Sequence, residues 1–169
     1  MRIILQRVLS ASVYVQSNTI GAIGTGLLVF LGVSREDTTV DADYLSDKLL
    51  GLRIFQDESG KLNRNVSEAG GSILIVSQFS LYADCRKGRR PSFDRAARAE
   101  EAEQIYEYFV RQVRLGEVPV QTGKFRADMK VHLINDGPIT IEIRGQGVGV
   151  SRCDGGPRRQ AASWSLLAG

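Results

Sequence analysis

The chain has 169 residues, 43% hydrophobic and 24% charged, with a formal net charge of +3. That is the make-up of one ordinary soluble domain, large enough to bury a real core. It excludes a membrane-spanning segment, because the longest apolar candidate runs only from Gly26 to Val33, and Ile3-Ile4-Leu5 is too short for a secretory signal. Cys85 and Cys153 lie far apart and form no CxxC pattern, which points to a reduced, cytoplasmic protein without structural disulfides or zinc.

In chain order, Arg2 to Leu9 and Ser12 to Val15 read as strands, and Ser17-Asn18 supplies a turn before Ile20-Gly21-Ala22-Ile23. Gly24-Thr25-Gly26 then leads into Leu27-Leu28-Val29-Phe30-Leu31. Thr38 and Asp41 form a capping-box variant ahead of Val40, Tyr44, Leu45, Leu49 and Leu52, whose spacing predicts a helix over 40–52. Asp57-Glu58-Ser59-Gly60-Lys61 is a turn between short strands. The segment 72–81 is the clearest strand, with Ile73-Leu74-Ile75-Val76 apolar on both faces, as in a sheet centre covered on each side. A second helix is expected over 94–115, with Ala102, Ile105, Phe109 and Val113 as its apolar stripe. Ala127, Met129, Val131 and Leu133 alternate with polar residues, as do Ile139, Ile141 and Ile143 after a Gly137-Pro138 turn. The expected fold class is α/β: a single domain with a mixed or antiparallel β-sheet, or a barrel-like β layer, packed by two helices. Residues 145–169, rich in glycine and arginine, are expected to form a flexible C-terminal tail.

Many familiar chemistries are missing. The single histidine, His132, sits on an alternating strand, where a structural role outweighs catalysis. GxSxG, HExxH and P-loop patterns are absent, and the glycines lack the strand–glycine–helix setting of a dinucleotide site. A hydrolase driven by an acid–base pair of side chains is therefore poorly supported. Arg86-Lys87-Gly88-Arg89-Arg90, followed by Arg95 and Arg98, is a local basic cluster. It reads either as a contact for RNA phosphates or as a solvated loop.

Two short segments carry more information. Ser77-Gln78-Phe79-Ser80-Leu81 places polar groups where an apolar strand should continue. Asn135-Asp136-Gly137-Pro138-Ile139-Thr140 places Gly-Pro where the backbone must turn and the proline cannot donate a hydrogen bond. Together with the opening Met1-Arg2-Ile3-Ile4-Leu5-Gln6-Arg7, they resemble the D-aminoacyl-tRNA deacylases over roughly 1–144, the extent of the deacylase domain. The resemblance implies hydrolysis of the ester that joins a D-amino acid to tRNA, and of glycyl-tRNA mischarged on tRNA(Ala). This is a chirality-proofreading step in translation that needs no metal or organic cofactor. It implies that Ser77, Gln78 and Phe79 hold the adenosine end and the ester, with the Phe79 main chain as an oxyanion donor and the terminal 2′-hydroxyl assisting. Position 80 is usually threonine in the family, and Ser80 keeps the hydroxyl.

By the same resemblance, Gly137 and Pro138 form a cis peptide whose carbonyls enter the other subunit of a homodimer and accept the substrate ammonium. Arg7 braces that loop, and Ala102, Phe125 and Met129 line the pocket. Arg126 stands where the family usually has a small residue. Each position also has a plainer reading: a satisfied strand end, a trans-proline turn, a surface charge, or simple core. Two alternatives to the D-specific enzyme remain. One is an RNA-binding module without catalysis. The other is a chirality-relaxed deacylase of L-alanyl-tRNA, a branch with a small residue at the position of Phe79 and a trans Gly-Pro.

Overall fold

A computed structural model describes residues 1–146 of the chain; the expected tail over 145–169 lies almost wholly outside the described residues. The elements in order are β1 (Arg2–Val15), β2 (Asn18–Ile23), β3 (Gly26–Gly32), α1 (Thr39–Gly51), β4 (Phe55–Gln56), β5 (Leu62–Arg64) and β6 (Ser72–Ser77). A 3-10 turn (Phe79–Tyr82), α2 (Ala99–Arg114), β7 (Val120–Thr122) and β8 (Lys130–Arg144) complete it. Apart from the β4–β5 ribbon, the strands form one mixed sheet in the order β2-β1-β3-β6-β7, with β8 also on β1. The β3–β6 and β6–β7 pairs are parallel. The sheet curls into a nearly closed barrel: β2 returns against β7, where a Cβ at Gly21 would lie 2.8 Å from the Thr122 carbonyl oxygen.

This curl explains the two-faced apolar strands. Leu28, Leu74 and Val76 turn inward with Val8, Val13 and Ile23, filling the hollow of the curled sheet. Leu27, Val29, Leu31, Ile73 and Ile75 turn outward onto α1 and α2, packing with Leu45, Leu49, Phe109 and Val113. At about 25 cal/mol per Å² of apolar area removed from water, such fully buried strands dominate the favourable side of folding. The α1 start follows its capping residues, since the Thr38 N–H donates to Asp41 Oδ2 at 3.0 Å.

Four expectations are corrected. The two strands expected over 2–9 and 12–15 form one strand, because β1 pairs along its length with β8 while β3 and then β2 take its other edge. The strand over 72–81 stops at Ser77, which faces Leu31, the last residue of β3 in register with it. The Gln78 N–H still reaches the Leu31 carbonyl at 2.7 Å, and the Leu81 N–H then closes the turn onto the Gln78 carbonyl at 3.3 Å. The second helix begins at Ala99 rather than Asp94, because the preceding backbone is tied down in extended form. The Ala97 N–H donates to the Val33 carbonyl at 3.0 Å, and the Arg35 N–H to the Arg95 carbonyl at 3.2 Å.

The fourth concerns Gly137-Pro138, which is neither a hairpin turn nor cis. All peptide bonds among the described residues are trans. β8 passes through the Gly-Pro as one strand with a wide bulge: Gln6 pairs with Thr140 and Val8 with Asn135, so Asp136 to Ile139 stand opposite Arg7 alone. Gly137 takes φ +118, a conformation that L side chains rarely adopt, and this swings the chain out while the default trans bond is kept.

Candidate active site

A cleft of about 630 Å³ opens where β3 and β6 end, between the N-terminal turns of α2 and the segment leading into β8. Parallel strands commonly place binding sites at their C-terminal ends, because the chain must leave the sheet there in loops free to vary. Ser77, Gln78 and Phe79 form one wall, and Ala102, Phe125 and Met129 another, so the structure gathers six of the residues singled out in the sequence around one space. Ser80 is not part of the lining. Its hydroxyl accepts a hydrogen bond from Gln78 Nε2 at 2.5 Å, which holds the Gln78 side chain. Because the Leu81 N–H makes the first bond of the 3-10 turn, the Phe79 and Ser80 N–H groups stand ahead of its hydrogen-bonded part.

Phe79 is 61% exposed, an unusual position for a phenylalanine, and its ring meets Phe93 edge to face at 4.9 Å. The cleft is also lined by Arg35, Arg98 and Arg126, against which Asp128 is the one carboxylate. Arg126 adopts φ +58 and pairs with Glu100 at 3.2 Å, both side chains well exposed, so the pair is worth little.

Tyr106 lies in the lining, yet the sequence reading did not single it out. Its hydroxyl donates to the Ile75 carbonyl at 3.0 Å, and burial pushes the phenol well above its ordinary range. The bond fixes the strand behind the site, and the phenol stays protonated at neutral pH. The available signal was a tyrosine on an apolar helix face, which must find a partner for its hydroxyl. Phe93 and Asn135 were likewise missed as positioning residues. His132 lies outside the cleft, exposed and edge-on to Tyr14 at 5.1 Å.

Gly137, Pro138 and Arg7 are not in this cleft. Arg7 is buried at 5% exposure; its guanidinium donates to the Ile54 carbonyl at 2.5 Å and pairs with Asp136 at 2.8 Å. The Asn135 side chain brackets the bulge, accepting from the Ile139 N–H at 3.0 Å and donating to the Ile139 carbonyl at 3.2 Å. Gly137 and Pro138 are exposed at the apex. No group of three or more His, Cys, Asp and Glu that could hold a metal is found among the described residues.

A model of the family described as D-Tyr-tRNA(Tyr) deacylase matches residues 4–144. The chain belongs to that family. A D-aminoacyl-tRNA deacylase from Solibacter usitatus is 59% identical over 146 residues, covering 86% of this chain and 97% of the relative. The deacylase of Yersinia pestis is 56% identical, covering 83% and 97%. Among solved structures, one titled "c-Myc DNA Unwinding Element Binding Protein" superposes with a TM-score of 0.81 at 44% identity, covering 86% of this chain and 99% of that one. A probable eukaryotic D-amino acid tRNA deacylase shares the fold, with a TM-score of 0.69 at 20% identity and coverage of 84% and 98%. The curled sheet and two helices of the described residues are thus a fold shared with that deacylase structure. No helix of the described residues is long and apolar enough to cross a membrane.

Proposed function

We propose that the protein hydrolyses the ester of D-aminoacyl-tRNA, releasing free D-amino acid and tRNA, as a homodimer in the cytoplasm. The observation that carries this reading is the Ser77-Gln78-Phe79 turn set into a largely apolar cleft, in a chain of the deacylase family. An aminoacyl ester is already activated, so positioning and oxyanion stabilisation accelerate it more than a strong base does. Water adds to the carbonyl carbon, and the negative oxygen is met by the main-chain N–H at Phe79. The intermediate then collapses with cleavage of the bond to the ribose oxygen. That oxygen leaves with the proton given up by water, relayed through the neighbouring 2′-hydroxyl.

Chirality comes from a second copy. The outward Gly137-Pro138 bulge offers main-chain carbonyls to the substrate ammonium, while the carbonyl end is held at Phe79. With both ends fixed, an L side chain strikes the wall and a D side chain leads to solvent. Glycine, which has no side chain, is cleaved as well, including glycyl-tRNA mischarged on tRNA(Ala). Arg7 and Asn135 set the shape of the bulge, and Ala102, Phe125 and Met129 bound the space beside the ester.

The second reading is the chirality-relaxed deacylase of L-alanyl-tRNA, favoured by the trans Gly137-Pro138 peptide. Phe79 weighs against it, since that branch has a small residue there. The test is to incubate the protein with matched D- and L-tyrosyl-tRNA, together with L-alanyl-tRNA, and follow loss of the ester. Cleavage of D-tyrosyl-tRNA with both L esters intact is expected. Cleavage of the L-alanyl ester moves the assignment to the relaxed branch, and cleavage of none leaves an RNA-binding module.

A further inference from the structure

We infer that the hairpin between Asp84 and Ser92 is a phosphate-binding arm, which docks the backbone of the tRNA strand leading into the cleft. This deepens the proposed function and rests on it. The hairpin closes by two backbone bonds: the Asp84 N–H donates to the Ser92 carbonyl at 2.7 Å, and the Ser92 N–H to the Asp84 carbonyl at 2.9 Å. Between them Cys85 to Pro91 are all exposed and include Arg86, Lys87, Arg89 and Arg90 with no acidic residue. Arg86 is turned back onto Asp84, whose carboxyl it holds well below its usual range. Lys87, Arg89 and Arg90 have no ion-pair partner among the described residues. A solvated loop usually mixes the two signs of charge, whereas this one carries only cations beyond its base.

Its placement gives those charges a direction. The residue after the closing pair is Phe93, which meets Phe79 edge to face and lines the cleft; the residue before the pair, Ala83, follows directly on Tyr82, the end of the 3-10 turn. Both ends of the arm are thereby fixed to the candidate active site. Three residues up each side reach on the order of 10 Å from the rim. Arg35 and Arg98 continue the positive charge into the cleft. With a terminal adenosine bound at Phe79, an arm rooted at Phe93 stands within reach of the phosphates of the same strand. Contacts of this kind are to phosphates and carry no sequence information, which suits an enzyme that must accept many tRNAs.

The test is the triple substitution Lys87→Ala, Arg89→Ala, Arg90→Ala, at exposed loop positions that leave the core untouched. Two substrates are compared, D-tyrosyl-tRNA and the D-tyrosyl ester of adenosine alone, and binding of uncharged tRNA is titrated against salt. The expected result is a KM for D-tyrosyl-tRNA raised on the order of tenfold to a hundredfold, with kcat and turnover of the adenosine ester preserved. The slope of log Kd for tRNA against log salt should fall by about 2 to 3, at roughly 0.7 to 0.9 per lost phosphate contact. Unchanged KM and salt slope overturn the inference, as does an equal loss on both substrates. If the unsubstituted protein cleaves neither substrate, the proposed activity fails; the salt slope still decides the arm.

Discussion

The cleft and the Gly137-Pro138 bulge are built by opposite physics. The cleft is framed by buried strands and by α2, and its shape follows from apolar packing that many side chains share. The bulge is framed by one buried arginine, one carboxylate and one asparagine, which replace the ladder hydrogen bonds that four residues of β8 give up. A structure held by many weak contacts tolerates the loss of one, whereas a structure held by a few polar contacts does not. Substitutions should therefore damage the bulge through shape and stability, and the cleft through activity alone.

The sharpest way to break that contrast is Arg7→Ala. It leaves the Ile54 carbonyl without its partner and Asp136 without its counter-ion, at an expected cost of about 3 kcal/mol in urea unfolding, with activity lost. Arg7→Lys, which keeps the charge and loses the fork, should fall between the two. A stability change below about 1 kcal/mol would show that packing alone holds the bulge. Next comes Gly137→Val. Its Cβ would lie 2.7 Å from the Arg7 guanidinium at a φ that L residues avoid, so a loss of about 1–3 kcal/mol is expected. Deacylation of D-tyrosyl-tRNA should fall on the order of a hundredfold, and an active variant would exclude the bulge from chirality control.

Phe79→Ala sharpens the contrast from the other side. The ring is exposed and its one aromatic contact among the described residues is Phe93, so unfolding should shift by no more than about 1.5 kcal/mol. Activity should drop on the order of tenfold or more, and a variant that unfolds would make Phe79 structural. The smallest effect concerns alkaline pH. Burial, then the nearby Asp37 carboxylate, pushes the Tyr82 phenol up to about 12 from an ordinary 10.0. Because the folded pKa is the higher one, the stability it confers is fully present below pH 10 and is lost as pH rises towards 12. Tyr82→Phe should flatten that part of the alkaline unfolding curve; an unchanged curve would mean that another group governs it.

Both motifs could be read from the chain because each breaks a local pattern. Ser77-Gln78 interrupts an apolar run, and Gly137-Pro138 interrupts an alternating one. The two-faced apolar strand at Ile73-Leu74-Ile75-Val76 announced a sheet covered on both sides, and the Thr38–Asp41 cap placed the first helix within a residue of its observed start. What the local patterns could not carry was length and continuity. Whether Arg2 to Val15 is one strand or two depends on β8 running along the far edge, which no short-range signal encodes. The start of α2 depends on bonds from Arg35 and Ala97 across the chain, stronger in effect than the helix preference of the residues before Ala99.

The sequence by itself determined the composition of the core, the position of the helices to within a few residues, the two segments that depart from pattern, and the family. These are properties of neighbours along the chain: periodicity, capping, turn chemistry, and runs of residue type. Only the tertiary structure decided that Ser77, Gln78, Phe79, Ala102, Phe125 and Met129 share one cleft while Arg7, Gly137 and Pro138 lie outside it. It alone turned the expected cis turn into a trans bulge opposite a single buried arginine, and gave the Arg86–Arg90 cluster a fixed root beside Phe79. The physical reason is that burial, ion pairing and strand register are relations between residues distant in sequence, and they acquire values only when the sheet closes on itself.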